Sequence, residues 1–451
     1  MFRRKVYDAL AAWKKEAAGG KAILLEGARR VGKSTVAEAF ARNEYRSHIL
    51  IDFSIAPDPV KGYFRDYIAD LDTFFMMLST LYGVRLYPRE TLIVFDEVQT
   101  FPKAREAIKH LVKDGRYDYL ETGSLISIRE NVKDILIPSE ERKIKMHPLD
   151  FEEFLQAMGE EELPDYIRRC FTERMPLDRG LHNKAMLLFK QYMLVGGMPR
   201  VVALFLEHRQ LFDAADREKR DILNLYREDI MKIGLRYRNK VTALFDQIPG
   251  LLSKHEKRVV YNRIVEGSKA DQYAETMFWL ANSMICNECF NCADPQVGLS
   301  MNEERTYMKC YMGDTGLLVS HAFDENELLS GEVYTQILND KLSLNKGMLY
   351  ENVIAQMLVA SGHRLFFHTR YNEEKHRNDI EIDFLLSGGG GSGQRIFPVE
   401  VKSGRNYSTA SLLKFREKYR QRIGECYIVH PRNLALKDGI LCIPPYMAFC
   451  L

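Results

Sequence analysis

Apolar and polar positions are arranged in blocks along the first 155 residues. Short, nearly continuous apolar runs at 22–25 (AILL), 49–53, 92–95 (LIVF) and 117–121, with a more mixed run at 143–146, alternate with stretches of helical spacing. Unbroken apolar runs of this length mark strands buried on both faces of a parallel sheet. Strands alternating with helices predict βαβ units with right-handed crossovers, and so a doubly wound α/β domain. Its ligand site is expected at the carboxyl ends of the strands. Pro148-Leu149-Asp150-Phe151 then places Asp150 as the cap of a helix over 151–158.

The pattern changes after residue 155. Helical periodicity dominates 156–233, broken at Gly196-Gly197-Met198-Pro199, and this stretch is expected to form a helical lid. Residues 234–323 predict three short helices, the second over 254–265 and the third over 268–283. Two strands follow, the layout of a winged-helix-like module. Residues 324–451 open with a helix around 349–358 and continue in strands. The glycine tract Gly388 to Gly391 there is expected as a hairpin loop.

Chemistry enters at the end of the first apolar run. Gly27, Ala28, Arg29, Arg30, Val31, Gly32, Lys33 and Ser34 read GARRVGKS, followed by Thr35 at the head of a helical segment. A strand, a glycine loop and a helix N-terminus in that order present backbone N–H groups and a positive dipole end to phosphate. Lys33 is expected to reach the β- and γ-phosphates of ATP, and Ser34 to offer its hydroxyl to Mg²⁺. The LIVF run ends in Asp96-Glu97, where Asp96 can hold Mg²⁺ and Glu97 can polarise the attacking water. The fourth run ends in Thr122-Gly123-Ser124, so a hydroxyl of Thr122 or Ser124 is placed to sense the γ-phosphate. Arg142, Arg200 and Arg227 are further candidates for phosphate contact, although solvated or ion-paired arginines have the same appearance in a sequence.

Composition narrows the picture. With 451 residues, 46% hydrophobic and 28% charged, the chain is expected to fold into three or four globular domains. A net charge of only +2 leaves no global field for nucleic acid or membrane, so any such surface must be local. No run of about 18 apolar residues and no secretory signal pattern is present, which makes the cytoplasm the expected location and the membrane no partner. Among the eight cysteines, Cys286, Cys289 and Cys292 are spaced C-x-x-C-x-x-C, with Cys310 a potential fourth ligand. Their place in a strand-like segment favours packing over a metal site.

A second constellation lies near the C-terminus. Residues 380–384 (IEIDF) and 399–402 (VEVK) alternate as strands, which puts Glu400 and Lys402 on one face. Asp383, Glu400 and Lys402, with Glu351 on the preceding helix, can form a Mg²⁺ site for phosphodiester hydrolysis in which the lysine positions or activates water. An amphipathic hairpin with exposed acids is the competing reading. The third helix of the winged module offers Lys269, Gln272, Glu275 and Thr276. That face is poor in positive charge and favours protein packing over DNA contact, partly offset by Lys254, His255, Lys257 and Arg258.

In order along the chain, GARRVGKS, LIVFDEVQ, ETGS, MHPLDFEEFL, GGMP, MGDTGLL, GMLYENVIAQ, IEIDFLL and PVEVKSG resemble a bacterial and archaeal family of AAA+-type P-loop ATPases. In that family a C-terminal domain of unknown function resembles restriction-endonuclease folds. The resemblance implies a P-loop sheet with helical lid (1–155 and 156–233), a winged-helix module (234–323) and a nuclease-like α/β domain (324–451). It implies that residues 27–35 bind ATP, that Asp96 and Glu97 serve Mg²⁺ and hydrolysis, and that Glu351, Asp383, Glu400 and Lys402 are the nuclease-like acids and lysine. Three outputs stay open: a conformational switch driven by ATP, an ATP-regulated nuclease on DNA or RNA, and a nucleotide-gated module that docks a protein partner. The oligomeric state stays open as well.

Overall fold

The five apolar runs become five parallel strands in the computed structural model of the chain. It describes residues 1–123, 139–209, 211–254, 257, 259, 270–324, 331–339, 341, 345–372, 377–388, 394–404 and 407–451. The strands β1 (Ala22–Gly27), β2 (Ser47–Asp52), β3 (Thr91–Asp96), β4 (Asp118–Gly123) and β5 (Glu141–Met146) lie in the order β2-β3-β4-β1-β5. Every pairing is parallel. The period of two separates two cores. Ile23, Leu25, Val94 and Leu120 pack with Leu10, Trp13 and Phe40 of α1 (Lys5–Ala17) and α2 (Lys33–Glu44). Ile51, Phe53, Ile93, Phe95 and Tyr119 pack on the other face with Phe64, Phe74, Leu78 and Ile108 of α3 (Asp58–Asp66), α4 (Leu71–Tyr82) and α5 (Pro102–Asp114). Covering on both faces is why the inner strands read as unbroken apolar runs, and β5, at the edge, does not.

The chain divides into two compact units, Met1–His147 and Pro148–Leu451. The second begins where Asp150 caps the helix Phe151–Ala157 in a capping box with Glu153. The lid region forms the helices Leu163–Glu173, Arg179–Val195, Pro199–Glu207 and Phe212–Met231. At the Gly-Gly-Met-Pro break, Gly196 has φ +83° and the Gly197 N–H donates to Asp314 Oδ2 (2.6 Å). A Cβ on Gly197 would stand 2.1 Å from the Leu149 carbonyl oxygen, so the close approach demands glycine. Asp314 also accepts from Leu317 N and so caps the helix Thr315–Ala322. The GGMP and MGDTG segments are therefore two halves of one packing joint.

The winged-helix expectation changes on inspection. The helix Leu235–Ser253 is present, and the third predicted helix is seen as Ala270–Asn282. Most of the second, with His255 and Arg258, lies outside the described residues, as does Lys269. Thr276, expected on the exposed face, is buried. The two strands β6 (Cys286–Cys292) and β7 (Glu303–Met312) are antiparallel as expected, but β6 also pairs in parallel with β8 (Leu365–Asn372). The hairpin is thus part of a four-stranded sheet, β7-β6-β8-β9, with β9 at Arg377–Ile382. After β9 the chain turns at Asp383 and enters a second sheet, β10-β11-β12-β14-β13. Its strands are β10 (Phe384–Gly388), β11 (Arg395–Val401), β12 (Cys426–Val429), β13 (Ala435–Lys437) and β14 (Ile440–Ile443), of which β11, β12 and β14 are mutually parallel. The run 380–384, read as one strand, is therefore two strands in two sheets. Residues 389–393 of the glycine tract lie outside the described residues. Among the described residues no helix is long and apolar enough to cross a membrane.

Candidate nucleotide site

The loop 27–35 sits where sheet order requires it, between the end of β1 and the start of α2. A Cβ on Gly27 would meet the Met146 carbonyl oxygen at 2.5 Å, and Gly32 at φ +97° is the N-cap of α2. Ala28 and Val31 are buried while Arg29, Arg30 and Thr35 are exposed, with Arg30 at φ +69°. Arg4 buttresses the loop by donating to the Val31 carbonyl (3.1 Å) and, from its other nitrogen, to His147 O (2.6 Å). No sequence signal pointed to Arg4, because its targets are backbone carbonyls.

Lys33 is buried, and its ammonium donates to the carbonyl oxygens of Gly27 and Ala28, each at 3.0 Å. Burial pulls its pKa down to about 8, against the pull of Glu97 and Asp96 in the other direction. Its hydrogen-bond partners among the described residues are neutral carbonyls rather than an anion. A phosphate at this helix N-terminus would supply one.

Because β4 lies between β1 and β3, the residue ending β4 falls between the loop and the acidic strand. Ser34 Oγ donates to Asp96 Oδ1 (2.8 Å), and Thr122 Oγ1 donates to the same oxygen. The structure therefore brings Lys33, Ser34, Asp96 and Thr122 to one point at the carboxyl end of the sheet. Glu97 leaves the strand at φ +51°; its carboxylate accepts from the Gln99 amide and its carbonyl from Thr100 Oγ1 (2.8 Å). Ser124 lies outside the described residues. Behind Thr122, Glu121 is fully buried beside Arg105, which bridges to Glu141 (2.6 Å). Burial, then the neighbouring Glu141, hold the Glu121 carboxyl well above its ordinary value.

This donor set fits Mg·ATP. A hydroxyl and a carboxylate 2.8 Å apart are hard oxygen ligands of the kind magnesium takes, and they stand beside a lysine in a phosphate-shaped loop. The three candidate arginines have other partners: Arg142 pairs with Glu16 (3.1 Å), Arg200 with Glu207 (3.7 Å), and Arg227 with Asp246 and Asp324.

Residues 19–155 match the family model of an AAA domain. The five parallel strands, their flanking helices and the glycine loop between β1 and α2 fall within the stretch that this family model covers. Two further stretches match domains of unknown function, DUF8612 over 186–327 and DUF4143 over 346–446. Neither description names a winged helix or a nuclease. No curated protein matches the chain. Among solved structures, a Walker-type ATPase of Pyrococcus abyssi is 16% identical, covering 71% of this chain and 96% of its own, at TM-score 0.40. The ORC1 protein of Aeropyrum pernix, solved in complex with DNA, is 13% identical over 72% and 93%, at 0.27. A STAND ATPase of Pyrococcus horikoshii with a tetratricopeptide repeat sensor is 12% identical over 78% and 48%, at 0.25.

The C-terminal constellation assembles differently from a metal cluster. Glu351 is buried and accepts from Lys309 Nζ (3.0 Å), from Lys257 and from the Tyr311 hydroxyl. The same Lys309 ammonium lies 3.8 Å from Asp383 Oδ1, while Asp383 Oδ2 accepts from Val401 N (2.8 Å). Glu400 pairs with Lys402 (3.0 Å), and its Oε1 has no hydrogen-bond partner among the described residues. Burial raises the Glu400 carboxyl to about 7, only partly offset by Lys402. At Glu351 burial also raises the carboxyl, but Lys309 and Lys257 reverse this and hold it at about 2. Among the described residues no group of three or more His, Cys, Asp or Glu side chains is arranged to hold a metal. Lys309, which sequence reasoning missed, sits between two of the acids proposed as ligands.

The cysteine run lies on β6, where Cys286 and Cys289, three residues apart, face opposite sides of the sheet. Cys286, Cys289, Cys292 and Cys310 are buried free thiols, and burial pushes Cys292 up to about 11.

Proposed function

We propose that the chain binds and hydrolyses Mg·ATP in its AAA domain and uses the cycle to switch the state of the segments that follow. The observation that carries this reading is the convergence of Ser34 and Thr122 on Asp96 Oδ1, beside a buried Lys33. Ser34 and Asp96 would hold Mg²⁺, which when bound with ATP neutralises charge on the β- and γ-phosphate oxygens. Lys33 exchanges its two carbonyl partners for phosphate oxygens and stays protonated there, stabilising the charge that spreads over the transferring phosphoryl group. Glu97, held by the Gln99 amide, orients a water and takes its proton. Thr122 reports occupancy of the site to Asp96 and, through the adjacent Glu121, to the Arg105–Glu141 pair. Ser124 remains an alternative sensor.

In this reading 156–233 acts as a lid, and 234–323 with 324–451 form the responding part. We assign that part no cleavage. An ammonium already neutralises Glu351 and lies near Asp383, where a divalent ion would have to bind. The output is then contact with a partner, protein in the first instance and DNA or RNA in the second. The test is ATP binding and turnover by wild type, Lys33→Ala and Glu97→Gln, each with and without DNA that is afterwards inspected for cuts. The expected result is lost binding in Lys33→Ala, retained binding without turnover in Glu97→Gln, and intact DNA throughout. Normal turnover in either variant sinks the ATPase assignment, and cuts that disappear in Asp383→Ala restore the nuclease reading.

A further inference from the structure

We propose, resting on the Mg·ATP reading above, that Arg4 is a positioning residue that passes the state of the glycine loop to the C-terminal unit through the backbone of residues 147–149. Arg4 is the N-cap residue of α1 and is buried, and its guanidinium holds two backbone carbonyls at once. One is Val31 O in the loop (3.1 Å); the other is His147 O (2.6 Å), on the last residue of the first unit. A planar guanidinium loses little freedom in making such a bridge. The loop also leans on the same strand end directly. Gly27 lies opposite Met146 in the β1–β5 register, where the Met146 carbonyl takes the space of a side chain.

The loop has two arrangements to report. In the one described, the Lys33 ammonium holds the carbonyls of Gly27 and Ala28. With ATP bound it turns to the phosphates and releases both. Because Gly27 packs on Met146 and Val31 is tied to His147 through Arg4, the rearranged loop pulls on the backbone at 146–147. The second unit grips that backbone two residues on. Leu149 is fully buried, its N–H donates to the Gly197 carbonyl (2.7 Å), and its carbonyl accepts from the Tyr192 hydroxyl (2.9 Å). The Tyr192 hydroxyl accepts in turn from the Gln356 amide (3.0 Å), whose oxygen takes the Thr315 N–H (2.8 Å). The helices Arg179–Val195, Thr315–Ala322 and Lys346–Ala360 therefore meet around the Leu149 backbone. Only Pro148 stands between the two holds. Its ring fixes one torsion and restricts the residue before it, and two peptide steps of about 3.8 Å leave little slack to absorb a pull.

The test compares full-length wild type, Arg4→Met, and a variant with two glycines inserted between Pro148 and Leu149. Each is assayed for affinity for β,γ-imido-ATP with Mg²⁺, for its thermal melt, and for hydrogen exchange over residues 190–200 and 312–318 with and without saturating nucleotide. In wild type the nucleotide is expected to slow exchange of both peptides at least about fivefold. The insertion should cut that response below about twofold while nucleotide affinity stays within about threefold, a split that a merely structural role of these residues would not produce. Arg4→Met, read at saturating nucleotide, should lose the response as well, and it decides the matter if the insertion lowers the melt. A response of wild-type size in both variants overturns the route and leaves the Mg·ATP reading standing. Wild type that binds nucleotide without any response in either peptide also overturns the route. Failure of wild type to bind the nucleotide overturns the Mg·ATP reading and this route with it.

Discussion

Replacing Lys309 by Met keeps the length of the side chain and removes its charge from between Glu351 and Asp383. What that charge contributes can be worked from Glu351, whose carboxyl is held at about 2 although burial opposes it. Against an ordinary value of 4.5, the gap of about 2.5 pH units at about 1.4 kcal/mol each corresponds to about 3 kcal/mol of stability at neutral pH, drawn first from Lys309 and then from Lys257 and the Tyr311 hydroxyl. Removing one partner of a buried ion pair in other proteins costs about 3–5 kcal/mol, and Lys309 is the largest of these contributions. The sign with pH follows. Since the folded value lies below the unfolded one, this stabilisation is complete above about pH 4.5 and is lost as pH falls toward 2. Lys309→Met should therefore be less stable than wild type by about 3 kcal/mol at pH 7, and the difference should shrink below pH 4.5. The chain offers a clean probe, since its two tryptophans fall one in each unit, Trp13 and Trp279. In a Trp13→Phe background, urea unfolding followed by Trp279 fluorescence reads the C-terminal unit alone. A loss under about 1 kcal/mol at pH 7, or a difference that widens on acidification, refutes the ion-pair account.

Three further outcomes are expected. Thr122→Val removes one of the two hydroxyls on Asp96 Oδ1 and should leave ATP affinity within about threefold while lowering turnover at least about tenfold, measured by steady-state hydrolysis. Glu400, raised to about 7, favours the fold most below pH 4.5 and loses that advantage as pH rises through 7. Glu400→Gln should flatten the fall in stability between pH 5 and 8.5, read by the same fluorescence; an unchanged slope contradicts the assignment. Gly197→Ala drives a Cβ into the Leu149 backbone, which has no side-chain rotamer to yield, and should destabilise the C-terminal unit by about 2 kcal/mol or more in urea unfolding.

The proposed nucleotide site was legible because its chemistry is local in sequence. The eight residues from Gly27 to Ser34 carry most of it, and the apolar run before Asp96 announces a strand end. A sensing hydroxyl was expected from Thr122 or Ser124 at the end of the fourth run, and Thr122 stands beside Asp96 because β4 lies between β1 and β3. Arg4 was invisible because backbone carbonyls leave no mark in a sequence. The C-terminal set was legible as residues and misleading as a site. Glu351, Asp383, Glu400 and Lys402 are where their motifs put them, but Lys309 and Lys257 reach Glu351 from 42 and 94 residues away. Long-range ion pairs carry no periodicity. The wing was read incompletely for a related reason: β6 and β7 are successive strands in the chain, whereas the parallel pairing of β6 with β8 spans β7, three helices and an interval no local pattern encodes.

That parallel pairing also bears on how the chain is inherited. Cys289, Phe290 and Asn291 of β6 lie opposite Leu365, Phe366 and Phe367 of β8, and the two strands belong to the stretches 186–327 and 346–446 that match separate families of unknown function. Cut apart between them, each fragment would carry a bare strand edge, with amides and carbonyls open to any passing chain. Neither stretch is expected to shuffle between genes alone. They should be gained, duplicated and lost as one cassette, and lineages that carry the second stretch without the first should have found another strand to cover that edge.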